Sequence, residues 1–248
     1  MKKIFLLAIL LATLTNAVAQ AQNKSETKST RIGIRVGANF NSLPMKYENN
    51  KGLSGIGTTA MHAGLTADFR LAGNLYLSTG AWYIPKGDAE EIFVSNVDAE
   101  DADAGNGKKY RMKTSMSYIE VPLLASYIYP VTPKFRVRAD VGPYAAYGLS
   151  GKRIFEEASS KGLLGGLFAD DPIEVDGPFK KDDDGYADYK RLDYGLRFGA
   201  AIEFRALTLG ASYDFGLANL IDGASDDFLV QHCKTNTRSL LVSIGLNF

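Results

Sequence analysis

Across eight runs of the chain, 31–40, 59–71, 74–86, 117–129, 135–150, 191–204, 207–217 and 239–248, one set of alternate residues carries no charge. Charged residues make up 23% of the sequence. Random placement would put roughly 11 of them among these forty-eight positions, a deficit that choosing the better parity run by run does not absorb. An extended strand sends successive side chains to opposite faces, so each run has one face from which charge is excluded. Lipid imposes such a rule, because a charge on the outer face of a membrane barrel costs about 2–4 kcal/mol near the midplane. Each run is also long enough to cross: roughly ten residues at about 3.3 Å, tilted about 40–45°, cover about 25 Å.

A soluble β-sandwich would alternate in the same way, and the connections separate the two. Those at 72–73, 130–134 and 205–206 are tight, whereas 41–58, 87–116, 151–190 and 218–238 are long and polar. Short turns alternating strictly with long loops are the pattern of a transmembrane barrel with short periplasmic turns and long outer loops. The expected fold is therefore all-β, an eight-stranded antiparallel up-and-down transmembrane β-barrel with four long extracellular loops. Aromatic residues near the run ends, among them Phe40, Tyr83, Tyr129, Phe204 and Phe215, suit two interfacial girdles.

The N-terminus supplies the export route. Lys2 and Lys3 precede an apolar stretch over 4–12, followed by small-x-small patterns ending at Ala19 and Ala21. Residues 1–21 read as a signal peptide cleaved after Ala19 or Ala21, residues 22–29 as a periplasmic segment, and 30–248 as the barrel. The apolar stretch is too short to span a bilayer, and no later one is long enough for a helix, so residence in the membrane requires a closed barrel. Formal charge sums to zero, which gives no support for nucleic-acid binding.

The parity opposite to lipid carries Arg31, Arg35, Asp68, Arg70, Glu120, Arg136, Arg138, Asp140, Asp193, Arg197, Glu203 and Asp214, six bases and six acids. An eight-stranded barrel is just wide enough to be filled by side chains, and buried charges are tolerable when paired. These residues are expected to form a lumen charge network that plugs the bore, with a narrow conducting pore as the alternative.

At 118–127 (YIEVPLLASY) the chain resembles the small outer-membrane barrel proteins of Bacteroidetes labelled PorT-like. Further matches lie at 141–148 (VGPYAAYG), 193–204 (DYGLRFGAAIEF) and 209–219 (LGASYDFGLAN). The resemblance implies an outer-membrane barrel and, through the family's name, an association with secretion; these segments build barrel wall and do not single out that role. It also implies that the terminal aromatic Phe248 belongs to the C-terminal signal read by barrel-assembly machinery.

Other chemistry is thin. The histidines are His62, on the inward parity, and His232, in the last loop beside the single Cys233. Neither has the sequence context of a nucleophile and base, so no catalytic residue is assigned, and a lipid-modifying enzyme is the weaker alternative. The loops are acidic at Asp88, Glu90, Glu91, Asp98, Glu100, Asp101 and Asp103 and again from Asp170 to Asp188. Carboxylates suit calcium, yet 180–191 read as a calcium loop has Lys180 first and Arg191 last, so a solvated surface is expected and no metal or cofactor is assigned. The apolar patch 162–168 could cover the barrel mouth or meet a partner. Expected partners are outer-membrane lipid, the barrel-assembly machinery, and secretion or surface proteins reached through the loops, with the chain itself a monomer.

Overall fold

The alternating runs fold as long antiparallel strands. The computed structural model describes residues 30–47, 56–94, 108–157, 173–175, 177–180, 189–221 and 233–248. Its strands are β1 (Thr30–Ser42), β2 (Met45–Tyr47), β3 (Ile56–Ala72), β4 (Leu75–Val94), β5 (Lys108–Pro130), β6 (Phe135–Glu157), β7 (Ile173–Val175), β8 (Leu192–Phe204), β9 (Leu207–Gly216), β10 (Cys233–Thr235) and β11 (Arg238–Asn247). Each of the eight long strands pairs with its neighbours in sequence, β5 joins β6, and β11 returns to β1 from Gly33↔Asn247 to Ser42↔Arg238. The result is a closed eight-stranded antiparallel barrel in which no long strand leaves an unpaired edge.

The register turns sequence parity into two surfaces. Along β8, Leu192, Tyr194, Leu196, Phe198, Ile202 and Phe204 are exposed, whereas Asp193, Arg197 and Glu203 are buried inside. The same division runs through β3, β5, β9 and β11, giving a continuous outer belt of Leu, Val, Ile, Phe and Tyr. Leu246 departs from it: it shares the outward parity of β11 but is only 7% exposed.

At one end the strands meet in tight turns. Gly73 and Arg205 each open a two-residue connection with positive φ, 53° and 55°. Glycine adopts that conformation without penalty, but an L side chain does not. Arg205 is nonetheless tied down, its N–H donating to the Lys134 carbonyl (2.8 Å) and its carbonyl accepting from Arg136 Nη2 (3.0 Å).

At the other end the structure corrects the expected loops. The third, fourth and fifth strands do not stop at 86, begin at 117 or stop at 150; β4 has 20 residues and β5 and β6 have 23 each. A tilted membrane strand needs only about 9–11, so these three continue past the apolar belt as one ladder, with Val94↔Lys108 at its tip and Tyr110↔Glu157 on its flank. The extension carries charge on both parities (GDAEEIFV at 87–94), so it has no lipid face for periodicity to detect; its ladder is held by backbone pairing. Three short strands were also unforeseen. β7 pairs with the outer part of β6, and β2 with β10, which puts Cys233 in a strand opposite Tyr47 rather than in a loop. Residues 1–29, the patch 162–168, His232 and most of the loop acids lie outside the described residues.

Candidate functional site

The inward parities converge on the lumen. Nearest the tight turns, Glu203 is fully buried and gathers four strands: Arg31 Nη2 donates to its Oε2 at 2.7 Å, Arg136 Nε to the same oxygen at 2.9 Å, and Asn247 Nδ2 to Oε1 at 3.3 Å. One turn farther in, Arg138 uses its guanidinium as a fork. Nε reaches both oxygens of Asp140 (2.7 and 2.9 Å), Nη1 reaches Asp68 (2.8 Å), and Nη2 reaches Ser78 (2.8 Å) and Ser126 (3.2 Å). Ser78 Oγ in turn donates to Asp68 at 2.7 Å. A planar cation with five donors can be fully satisfied this way, the condition for a buried charge to be tolerated.

Toward the long-loop end lies a second cluster. Arg197 grips Asp214 through Nε (2.6 Å) and Nη2 (2.7 Å), and Nη2 also donates to Glu120. Lys86 Nζ bridges Glu120 (2.9 Å) and Asp193 (2.8 Å), the latter also receiving Thr237 Oγ1 at 2.9 Å. The ammonium stands 4.7 Å from the Tyr144 ring centre and 5.3 Å from that of Tyr118. Above it an apolar plug of Leu43, Met116, Tyr118, Phe179, Tyr189 and Leu220 is buried in the mouth. Phe179 meets Tyr118 edge-on, 5.9 Å between centroids. Among the described residues the segment that covers the mouth is 177–180.

Of the residues singled out from parity, Arg31, Asp68, Glu120, Arg136, Arg138, Asp140, Asp193, Arg197, Glu203 and Asp214 meet in these two clusters. Arg70 does not: it is exposed beside the first tight turn, where Nε donates to the Gly73 carbonyl at 2.8 Å. The last inward position of β3 has already cleared the lumen, so parity gives its side but not its depth. Arg35 points inward and is buried, but among the described residues it joins none of the network's ion pairs. Lys86 was missed, although it shares parity with Trp82 and Ile84 on the third run; it takes the place of Arg70 opposite the six acids singled out, and Asp88 is a further buried acid on its own parity.

Between the clusters is a cavity of about 40 Å³, lined by Arg35, His62, Trp82 and the hydroxyls of Thr66, Ser212 and Ser243, among others. His62 is 2% exposed and neither ring nitrogen has a hydrogen-bond partner, so it forms no base–nucleophile or base–acid pair. Among the described residues no group of three or more His, Cys, Asp or Glu could hold a metal ion.

A family model described as outer membrane protein beta-barrel domain matches residues 19–222. No curated protein sequence matches the chain significantly. Among solved structures, the attachment invasion locus protein Ail of Yersinia pestis, in complex with the heparin analogue sucrose octasulfate, is 12% identical, with 89% of this chain and 100% of that one covered and a TM-score of 0.37. The outer membrane protein OprG of Pseudomonas aeruginosa is 14% identical over 89% and 97% of the two chains, with a TM-score of 0.43. The outer membrane protease OmpT of Escherichia coli is 10% identical over 92% and 99%, with a TM-score of 0.44.

Proposed function

The chain belongs to the outer membrane protein β-barrel domain family, and from that premise we propose that it is a closed, non-enzymatic barrel that holds long loops at the cell surface for binding or assembly partners. In this reading the tight turns and both barrel termini face the periplasm, the 1–21 segment is the export signal, and the outer belt meets lipid. One observation carries the proposal: side chains from β4, β5, β6, β8 and β9 meet across the bore as Lys86, Glu120, Tyr144, Asp193, Arg197 and Asp214, each at most 3% exposed. Opening a path through them would strand buried charges, a change of several kcal/mol per ion.

Planar-bilayer recording of the refolded barrel tests this. The expected trace has no steady conductance; a large, steady one overturns the proposal in favour of a narrow porin or transporter. The finer kinship with PorT-like barrels, and with it a part in secretion, is supported by the four motifs at 118–127, 141–148, 193–204 and 209–219. Crosslinking in the native membrane tests that role, with secretion components captured through the long loops as the supporting result.

A further inference from the structure

Among the described residues the charge network leaves one lumen cation, Arg35, outside its ion pairs, and that cation faces the lumen cavity. Arg35 is 8% exposed, and its Nε and Nη2 have no hydrogen-bond partner. Two further buried groups on the same wall are unpartnered: the indole Nε1 of Trp82 and both nitrogens of His62. Both rings are fitted closely into place. An added Cβ at Gly64 would stand 2.6 Å from Trp82 Cε3, and one at Gly37 would stand 2.8 Å from His62 Cε1. The two rings lie 5.7 Å apart, and the Arg197 guanidinium carbon is 5.6 Å from the Trp82 ring centre. The open donors are thus fixed in direction by packing.

Buried polar groups left without a partner are destabilising, a charged group most of all. Arg35 and the indole require an acceptor, and the wall offers few charged ones. Three guanidiniums, Arg35, Arg138 and Arg197, line the cavity with one carboxylate, Asp140, which already accepts two bonds from Arg138. Waters could accept from Arg35 and Trp82 and donate onward to the hydroxyls of Thr66, Ser212 and Ser243, but a water brings no charge to set against the guanidinium. At about 40 Å³ the space holds on the order of three water-sized bodies, which suits a small ion. The three cations exclude a metal ion.

We infer that this cavity is a binding site for one small monovalent anion of halide size, held by Arg35, Trp82 Nε1 and a protonated nitrogen of His62. The anion gives Arg35 Nε and Nη2 the direct hydrogen-bond partner that no carboxylate among the described residues provides. Ion-pair layers lie on both sides of it.

Trp82 is the chain's single tryptophan, so its emission reads the site directly. The protein is refolded from urea into detergent in sodium bromide, sodium chloride or sodium gluconate, the last an anion too large for the cavity. Bromide, a heavy-atom quencher, is expected to abolish emission, chloride added during refolding to restore it, and neutral acrylamide to leave it unchanged. Arg35→Gln is expected to lose the bromide effect while still migrating as a folded barrel in unboiled gels. Should that variant fail to fold, crystals of the unaltered protein grown from bromide still decide, with an anomalous peak expected beside Arg35 and Trp82. Equal emission in all three salts, or a cavity containing water and no anomalous peak, overturns the inference. These readouts report occupancy rather than flow, so they stand or fall separately from the conductance result.

Discussion

Lys86 touches Glu120 and Asp193 with one ammonium, and both carboxylates are fully buried. Replacing it by methionine keeps the volume but leaves Glu120 with Arg197 and Asp193 with only the hydroxyls of Thr237 and Tyr144. Lys86→Met is expected to destabilise the barrel by about 3–5 kcal/mol, the range for removing one partner of a buried ion pair. Urea unfolding in detergent, followed by Trp82 emission, measures it. Arg205 presents the opposite case. Its φ of 55° strains an L residue, and its two backbone hydrogen bonds do not need the side chain. Relief of about 1 kcal/mol is expected for Arg205→Gly, reduced by the extra freedom glycine has when unfolded; an unchanged or lower unfolding midpoint would show that its side chain, 5.8 Å from the Phe204 ring, contributes more than the strain removes.

The paired extension of β4 and β5 is a separate layer of the design. Above Ala89↔Lys113 the two strands continue to Val94↔Lys108, well beyond what a membrane crossing requires. Replacing residues 90–112 by an Asn-Gly turn between Ala89 and Lys113 should leave the barrel folded, because the lumen clusters and the seam lie below the cut. Heat-modifiable gel migration and an unfolding midpoint close to that of the full chain are the expected results. Loss of folding would mean that the extension nucleates the β4–β5–β6 ladder. Periodicity is silent on this element because charge falls on both of its parities and so sets no lipid-facing rule. β2, β7 and β10 escape for a second reason: three residues are too few to carry a pattern, and their partners are distant in sequence.

Closure is a property of the whole chain. The seam aligns β1 with β11, and the Phe248 N–H adds a bond to the Ile32 carbonyl at 2.7 Å. Deleting Phe248 removes that bond and leaves the register from Gly33↔Asn247 onward, so folding in detergent should change little while assembly into the native membrane falls; an equal loss in both would count against a role in recognition by assembly machinery. By itself the sequence determined which residues face lipid and which face inward, because a two-residue period and the exclusion of charge from lipid act on each strand locally. It also marked the tight turns and most members of the lumen network. Tertiary structure alone decided depth and partnership. Arg70 and Arg138 share an inward parity, yet one ends beside a turn and the other binds two carboxylates, because tilt and stagger fix where each strand crosses the bore. The same geometry brought Lys86 from β4 to Asp193 on β8, 107 positions along the chain, and left Arg35 facing an open cavity.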